Sequence, residues 1–284
     1  MPAHVKCPLC DSDSFTLVLD QKDAIYFERR IVSCDSCGLL FVNPQPTPEE
    51  LAAFYDGEFS DSETRKLWDR DKKEYVIVRT GEGETQQSRP RRSSPPGRPG
   101  PEEQRAALRL GLMRKISPPP ARLLDIGCRD GTFLKTAAAA GYSGAGVELS
   151  SRYARLAERN SGCEVFCGML ERFAEEHPSA RGGFDLVTLW DVIEHLADPA
   201  ATLGEIYRLQ PAGGVIGVST LNLANYRYLR YRERWRGFQE SQEHILFFSP
   251  ATLSRILKKC GYRPVKVITR KISPVALRWL NLLK

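Results

Sequence analysis

The strongest constraint on the fold is a glycine-containing turn between an apolar run and an alanine-rich segment. The sequence LLDIGCRDGTFL, residues 123–134, reads as a buried strand carrying Asp125, a turn through Gly127 and Gly131, and the start of a helix. Glycine lets a ligand approach the backbone closely, and the first turn of a helix presents unpaired N–H groups. The next strand ends in Glu148, an acid that can bond both hydroxyls of a ribose. The pattern therefore predicts a site for a nucleotide-like ligand.

The spacing of the turn residues disfavours a dinucleotide. A dinucleotide fingerprint requires G-x-G-x-x-G, in which the third glycine lets the helix pack on the strand. This chain has Gly127, Arg129 and Gly131, with Thr132 in the place of that third glycine. An ordinary strand, turn and helix of some other α/β protein remains the alternative for this motif taken alone.

The turn resembles motif I of the class I S-adenosylmethionine (SAM) dependent methyltransferases, an acid followed by G-x-G-x-G. The resemblance implies that Asp125 lies near the methionine end of SAM and that Glu148 binds the ribose. The cofactor-binding residues that it implies are Asp125, Gly127, Cys128, Gly131, Glu148, Leu149, Met169, Leu170 and Asp191. Arg129 departs from the pattern, and a positive φ there would cost about 1–2 kcal/mol. We expect the substitution to be tolerated.

The rest of the chain alternates strands with helices. The predicted elements are a helix from Ser150 or Ser151 to near Gly162, a strand over 164–167, a strand over 184–190, a helix from Asp198 to Leu209, a strand over 215–220, a helix from Ser249 to Cys260, and a strand over 265–269. Such alternation favours an α/β fold with a doubly wound parallel sheet.

Two later motifs narrow the resemblance. FDLVTLWDVIEHLADP and QEHILFFSPATL closely resemble the branch of class I methyltransferases that includes the ubiquinone-pathway O-methyltransferases. The resemblance covers about residues 105–270 and implies a Rossmann-like, seven-stranded sheet, SAM as cofactor and methyl transfer as the activity. It does not identify the acceptor.

Histidines near the fourth and fifth strands are the candidates for catalysis. SAM carries an activated methyl, so the enzyme must mainly align the acceptor and remove a proton from it. His195 and His244 are candidate general bases, with Glu194 beside them. Asp191, Glu194 and His195 at i, i+3 and i+4, together with His244, form a candidate site for a divalent cation. This cation would be the second one in the protein, after the zinc ion discussed below. A metal site, a plain base and a purely structural role all remain open.

Four cysteines near the N-terminus form two C-x-x-C knuckles. The pairs are Cys7 with Cys10 and Cys34 with Cys37. This spacing is typical of a four-thiolate zinc ribbon, a closed and structural site. A pair of disulfides is the alternative, disfavoured because nothing resembles a signal peptide.

Composition divides the chain into four parts. We expect a zinc ribbon over 1–46, a helical connector over 47–80, a disordered linker over 81–101 and the methyltransferase domain over 102–284. The linker is rich in Gly, Pro, Ser and Arg and has no apolar periodicity. The connector begins with a capping box at Thr47 and Glu50.

An arginine and aromatic segment, residues 225–238, bears on the acceptor. Arginines alternate there with tyrosines and a tryptophan, and the chain carries a net charge of +6. Such residues can grip phosphates, stack on bases or contact lipid headgroups, or they can form an exposed helix whose aromatics pack on the domain. A small-molecule or glycan acceptor, anionic or lipid-linked, is expected.

Two other function classes remain open. One is an RNA methyltransferase that uses the ribbon and the arginine segment to bind RNA. The other is a non-catalytic SAM-binding protein, suggested by Arg129 alone. No apolar run in the sequence approaches the roughly 20 residues of a membrane span. We therefore expect a cytoplasmic protein, with peripheral membrane contact as one further interaction.

Overall fold

The computed structural model describes residues 4–21, 29–47, 50, 64–69, 74–79, 99–239 and 243–269. Contacts divide the chain into two compact units. The cysteine unit comprises residues 1–54, 189–209 and 218–284, and the glycine-turn unit comprises residues 55–188 and 210–217.

The described part of the chain contains eleven strands and eight α-helices. The strands are β1 Phe15–Gln21, β2 Arg29–Cys34, β3 Leu40–Val42, β4 Thr64–Asp69, β5 Glu74–Arg79, β6 Arg122–Ile126, β7 Ser143–Glu148, β8 Glu164–Cys167, β9 Leu186–Trp190, β10 Val215–Ser219 and β11 Leu246–Phe247. The helices are α1 Pro101–Met113, α2 Thr132–Ala139, α3 Ser151–Ser161, α4 Leu170–Glu176, α5 Pro199–Leu209, α6 Tyr226–Tyr231, α7 Arg236–Gln239 and α8 Pro250–Lys259. Short 3₁₀ turns occupy Pro178–Ala180, Ile193–His195 and Arg232–Arg234.

The central sheet has the strand order β10-β9-β6-β7-β8. Asp125 of β6 pairs with Gly146 of β7, and Glu148 pairs with Cys167 of β8, in both cases in parallel. The order runs outward from β6 in both directions, as in a doubly wound sheet. The α/β prediction is confirmed. The described residues supply five strands to this sheet, compared with the seven expected.

The predicted strand over 265–269 does not form. These residues have no regular secondary structure, and Val265, Val267 and Ile268 are 72%, 55% and 53% exposed. Because none of the described strands pairs with this segment, its β-branched side chains gain no burial from an extended conformation.

Helix boundaries follow the predicted caps closely. The Ser150 hydroxyl accepts the Tyr153 N–H at the start of α3, and Gly162 ends that helix at φ 69°. Asp198 accepts the Ala201 N–H in the first turn of α5. Ser249 and Thr252 form a capping box at the start of α8. Side chains that accept otherwise unpaired N–H groups therefore set these boundaries.

Gly131 allows α2 and α3 to approach each other. It begins α2 at φ 74°, and a Cβ placed on it would lie 2.7 Å from the Ala157 carbonyl oxygen of α3. Phe133, Leu134 and Ala137 then bury the other face of α2. A residue with a side chain at position 131 would have to move backbone, so the second glycine is required by packing as well as by φ.

The cysteine unit is built on a four-stranded sheet in the order β1-β2-β3-β11. Both β1 and β3 pair antiparallel with β2, and β11 pairs with β3 through Leu246 to Phe41 and Phe247 to Leu40. Ile31, Phe41, Phe247 and Phe248 are buried in its core. This sheet joins segments about 200 residues apart in sequence.

The expected connector over 47–80 shows its capping box. The Thr47 N–H donates to Glu50, and the Glu50 N–H donates to the Thr47 hydroxyl at 3.1 Å. The helix predicted to follow lies almost entirely outside the described residues, and the described remainder is the antiparallel pair β4 and β5. The linker expected over 81–101 is described only from residue 99 onward.

Candidate functional site

The glycine turn, residues 127–131, has three residues in the left-handed region. Their φ values are 67° at Gly127, 51° at Arg129 and 74° at Gly131. The turn follows the buried carboxylate of Asp125 and precedes the first N–H groups of α2. The turn therefore offers a ligand the backbone of Gly127, which has no Cβ, and the start of α2, whereas the missing Cβ of Gly131 makes room for α3.

Asp125 is a buried carboxylate with one side-chain hydrogen bond. The Thr188 hydroxyl donates to its Oδ1 at 2.6 Å. Burial raises the pKa of Asp125 to about 7, against the lowering effects of this bond and of the Arg109 charge. A buried, incompletely compensated carboxylate favours a cationic partner. The ammonium group of an amino acid moiety has the required charge.

Glu148 accepts two backbone hydrogen bonds at the end of β7. The Arg129 N–H donates to one carboxylate oxygen and the Ser150 N–H to the other, each at 2.9 Å. Burial nevertheless raises its pKa. Each oxygen keeps a further acceptor position, so the carboxylate can bind two neighbouring hydroxyls without losing its orientation.

Arg129 keeps its side chain on the surface. The residue is exposed, and its guanidinium carbon lies 5.6 Å from the centre of the Tyr153 ring. The strained φ of 51° aims its backbone N–H at Glu148. Arg129 thus provides through its main chain what a glycine would provide, while its side chain stacks on Tyr153.

The other predicted cofactor residues differ in accessibility. Leu149 and Met169 are 46% and 61% exposed, whereas Leu170 is buried in the core. Cys128 is buried too, and a Cβ on Gly146 would lie 2.7 Å from its sulfur. Of the predicted apolar side chains, Leu149 and Met169 are therefore the two that are exposed enough to contact a ligand.

A second group, the acid–histidine cluster of Glu194, His195 and His244, lies in the cysteine unit. One ligand atom from each lies within 4.8 Å of the others. The His195 and His244 rings meet edge to face at 4.8 Å, and His244 Nε2 lies 4.0 Å from Glu194 Oε1. The structure brings together all three predicted catalytic residues. The 3₁₀ turn Ile193–His195 supplies two of them.

Burial keeps the acid–histidine cluster uncharged at neutral pH. It raises the pKa of Glu194 to about 8 and lowers that of His195 to about 4. Burial also lowers the pKa of His244 to about 2, and the nearby positive charge of Arg29 acts in the same direction. His195 Nδ1 lies 3.2 Å from the Glu243 carbonyl oxygen, which assigns the ring proton to Nδ1 and leaves a lone pair on Nε2. The cluster can thus accept a proton or ligate a cation.

Asp191 is not a member of the acid–histidine cluster. Its φ is 60°, its carboxylate accepts the Ser219 hydroxyl at 2.8 Å, and its N–H donates to the Ser219 carbonyl. The second cation site predicted from four side chains therefore has three of them within reach of one ion.

The cysteine cluster consists of Cys7, Cys10, Cys34 and Cys37. Their sulfurs lie within 4.8 Å of one another, with Cys7 to Cys37 and Cys10 to Cys34 both at 3.5 Å. All eight cysteines of the chain are free thiols, so the disulfide alternative does not hold here. The Lys259 Nζ of α8 donates a hydrogen bond of 3.2 Å to the Leu9 carbonyl oxygen, between Cys7 and Cys10.

Two polar residues of these sites were not predicted. Thr188 is a lone polar residue in the apolar run of β9. A hydroxyl at such a buried position indicates a buried hydrogen-bond partner, which here is Asp125. Arg29, whose charge lowers the pKa of His244, could not be singled out from the sequence, because it is one of two adjacent arginines in a segment of mixed composition.

Comparison with known proteins assigns the chain to a protein family. A family model described as a methyltransferase domain matches residues 102–267. The chain belongs to this methyltransferase family. It is therefore a SAM-dependent methyltransferase, and the glycine turn with Asp125 and Glu148 is the candidate site for the cofactor.

Curated relatives of the methyltransferase are named ubiquinone biosynthesis O-methyltransferases. The chain is 29% identical over 165 residues to that of Aromatoleum aromaticum and 30% identical over 167 residues to that of Thiobacillus denitrificans. Each match covers 54% of this chain and 69% of the relative. A SAM-dependent methyltransferase structure from Archaeoglobus fulgidus is 21% identical, with a TM-score of 0.48, over 65% of this chain and 86% of the other.

Three aromatic rings of the arginine segment, residues 225–238, pack against one another, whereas Tyr231 of the same segment is 55% exposed. Trp235 and Phe238 are buried and lie 5.2 Å apart, and Tyr228 contacts both. Four arginines of the segment are exposed, namely Arg227, Arg230, Arg232 and Arg234. In the described part of the chain, no helix is both long and apolar enough to span a membrane.

Proposed function

We propose that the methyltransferase O-methylates a small hydroxylated acceptor, and that the acid–histidine cluster removes the acceptor proton. The observation that carries the proposal is the convergence of Glu194, His195 and His244 within 4.8 Å. SAM supplies the activated methyl, so the protein has to provide alignment and a proton acceptor.

A proton acceptor must be unprotonated at the working pH, and both histidines of the acid–histidine cluster meet this condition. Both imidazoles are neutral at pH 7 because burial lowers their pKa values. The Glu243 carbonyl fixes the His195 ring so that its Nε2 lone pair can accept a proton. Glu194 stays protonated because burial raises its pKa to about 8, and it can then act as a hydrogen-bond donor.

The same donor set also fits a divalent cation. Two imidazoles and a carboxylate are ligands of first-row divalent ions, and a backbone carbonyl already orients one of the rings. A bound ion would supply Lewis acidity, and the residues holding it would be Glu194, His195 and His244.

The test is transfer from labelled SAM to phenols, sugar nucleotides and RNA, before and after dialysis against EDTA. His244→Gln and His195→Gln should each lower the rate about 10²-fold or more, since this is the usual contribution of a general base. His177→Gln is the matched control, because its ring lies against the Phe173 carbonyl in α4. Full activity of both cluster variants would contradict the proposal. Loss of activity on EDTA dialysis that Mg²⁺ or Mn²⁺ restores would assign the cation role.

We also propose that the cysteine cluster holds a structural zinc ion. Four sulfurs at about 2.3 Å from a tetrahedral zinc lie about 3.8 Å apart, close to the 3.5 Å separations found here. Four protein ligands leave no open position, so the ion would stabilise the fold of the first 46 residues. Elemental analysis should find one zinc per chain in the wild type and none in Cys34→Ser.

The exposed arginines favour an anionic acceptor. Arg227, Arg230, Arg232 and Arg234 present guanidinium groups that can bind phosphate or carboxylate bidentately. Sugar nucleotides and phosphate-bearing lipid-linked glycans carry such groups. Replacing Arg230 and Arg234 with Gln should raise the acceptor KM and leave the SAM KM unchanged. An unchanged acceptor KM would contradict this assignment.

RNA is the weaker alternative. Base stacking requires exposed aromatic side chains, but Trp235 and Phe238 are buried, and Tyr231 is the exposed ring among the described aromatics of the segment. RNA binding that weakens steeply with salt would nevertheless support it.

A further inference from the structure

Arg29 is a fully buried arginine at the start of β2. Its side chain is 0% exposed, and its guanidinium carbon lies 5.9 Å from the centre of the Phe247 ring. A buried guanidinium is expensive to desolvate unless its N–H groups are hydrogen-bonded. The partners that it has are therefore informative about its role.

The guanidinium of Arg29 donates to two backbone carbonyls six residues apart. Nη1 donates to the Phe238 carbonyl at 2.9 Å and Nη2 to the His244 carbonyl at 3.0 Å. Nη1 also donates to the Gln21 side chain at 2.9 Å. A planar fork with two donating nitrogens fixes both the distance and the direction of the carbonyls it holds.

The residue after His244 is held in place as well. The Ile245 N–H donates to the Glu194 carbonyl at 2.9 Å, and the Ile245 carbonyl accepts the Val42 N–H at 2.8 Å. Leu246 and Phe247 then form β11 against β3. His244 is thus tied on one side to Arg29, and through Ile245 to both the acid–histidine cluster and the N-terminal sheet.

The strand that carries Arg29 also carries a cysteine ligand. β2 begins at Arg29 and ends at Cys34, whose N–H donates to the Leu39 carbonyl at the start of the return toward β3. A single short strand therefore connects the cysteine cluster to the backbone of His244.

We propose that Arg29 is a positioning residue for His244, and that through β2 the cysteine-bearing sheet sets the geometry of the acid–histidine cluster. The inference rests on the proposed role of that cluster in catalysis. The N-terminal module is then a working part of the acceptor side of the enzyme, in addition to its own fold.

The test is a comparison of histidine ring resonances in the full-length, zinc-loaded protein. The chain has four histidines, so ¹H–¹⁵N correlation spectra of labelled imidazoles can be assigned with single His→Gln variants. Arg29→Met should move the His244 and His195 ring signals and leave that of His177 unchanged. Arg29→Lys should move them less, because an ammonium keeps the charge but not the planar fork.

Arg30→Met is the matched control. Arg30 is the next residue of β2, so its side chain leaves the opposite face of the strand. Its substitution should leave the His244 signal in place. Gln21→Ala provides a milder perturbation that removes one partner of the guanidinium without leaving a charge unpaired in the core, and it should shift the same two signals slightly.

The outcomes separate positioning from stability and from function. Zinc content, SAM affinity and thermal midpoint identify variants that remain folded. Unchanged His244 and His195 signals in every folded variant of Arg29 and Gln21 would overturn the proposal, even if methyl transfer occurs. Where an acceptor is available, Arg29→Met should lower kcat about 10²-fold with KM for SAM unchanged, as for a catalytic group displaced by about 1 Å. Absence of methyl transfer in the wild type would count against the proposed function and leave the spectroscopic result standing.

Discussion

At the scale of single residues, burial determines the electrostatic state of the two acids in the candidate cofactor site. Burial raises the pKa of Asp125 to about 7, and two backbone N–H groups orient Glu148. Both acids were predicted from their positions at strand ends. Their electrostatic state depends on Thr188 and on the surrounding core, which a linear pattern does not contain.

Asp125→Asn should stabilise the cofactor-free protein at pH 8 and affect it much less at pH 5. The pKa of Asp125 rises from 3.8 to about 7 on folding, so its stabilising contribution is complete below pH 3.8 and is lost as the pH rises through 7. The full difference corresponds to at most about 4 kcal/mol. Asparagine stays neutral throughout and avoids that loss. Thermal unfolding at both pH values measures it, and equal effects at pH 5 and 8 would contradict the raised pKa.

Arg129→Gly should change the SAM affinity by less than about 5-fold, which is under 1 kcal/mol. The arginine side chain rests on Tyr153, and Glu148 is bound through the backbone N–H that glycine retains. Calorimetric titration with SAM measures the change. A gain of 100-fold would mean that the arginine obstructs the cofactor.

At the level of elements, a glycine allows two helices to pack closely against each other. α2 can approach α3 because Gly131 has no Cβ, and its φ of 74° starts the helix directly after the turn. The same residue therefore serves the turn and the packing of two helices.

Gly131→Ala should destabilise the protein by about 2–4 kcal/mol, combining a left-handed alanine with backbone displacement. Its Cβ would lie 2.7 Å from the Ala157 oxygen and 2.8 Å from the Ala157 Cα. Gly111→Ala in α1 is the control, since nothing lies within 4 Å of its Cβ position and the helix should gain up to about 1 kcal/mol. Chemical denaturation of both variants checks the difference. Equal stabilities would show that α2 does not pack as described.

Elements with local signals were predictable, and those that depend on distant pairing were not. The caps at Ser150, Asp198 and Ser249 fixed three helices from neighbouring residues alone. β11 has two residues and forms because it pairs with β3 in an antiparallel arrangement. The strand expected over 265–269 has the right composition but pairs with none of the described strands. Composition thus indicates what a segment can form, and pairing determines whether it does.

At the scale of the whole molecule, the cysteine and glycine-turn units carry different chemistry. Asp125 and Glu148, the acids of the candidate cofactor site, belong to the glycine-turn unit. The cysteine and acid–histidine clusters both belong to the cysteine unit. Both sets of residues were predictable from the sequence. The pairing of the segment after His244 with the N-terminal sheet was not, because that contact links residues about 200 positions apart.

Loss of zinc should therefore affect the two units unequally. If the cysteine cluster holds zinc as proposed, Cys34→Ser should remove the ion and lower the thermal midpoint, because the metal would stabilise the fold around the four cysteines. It should also abolish methyl transfer, since β2 holds His244 through Arg29. SAM affinity should change by less than about 3-fold, under 0.7 kcal/mol. Calorimetry and metal analysis on one preparation provide the comparison. Activity retained without zinc would contradict the link between the cysteine cluster and the acid–histidine cluster.

Calorimetric titration with SAM tests the assignment of the glycine turn most directly. The wild type should bind one SAM per chain, and Asp125→Ala and Glu148→Ala should each abolish binding while leaving the zinc content unchanged. Buried Asp125 meets the methionine end of the ligand and Glu148 its ribose in this assignment. No binding by the wild type up to about 1 mM, the upper end of ordinary enzyme affinities, would contradict the account, as would normal binding by either variant.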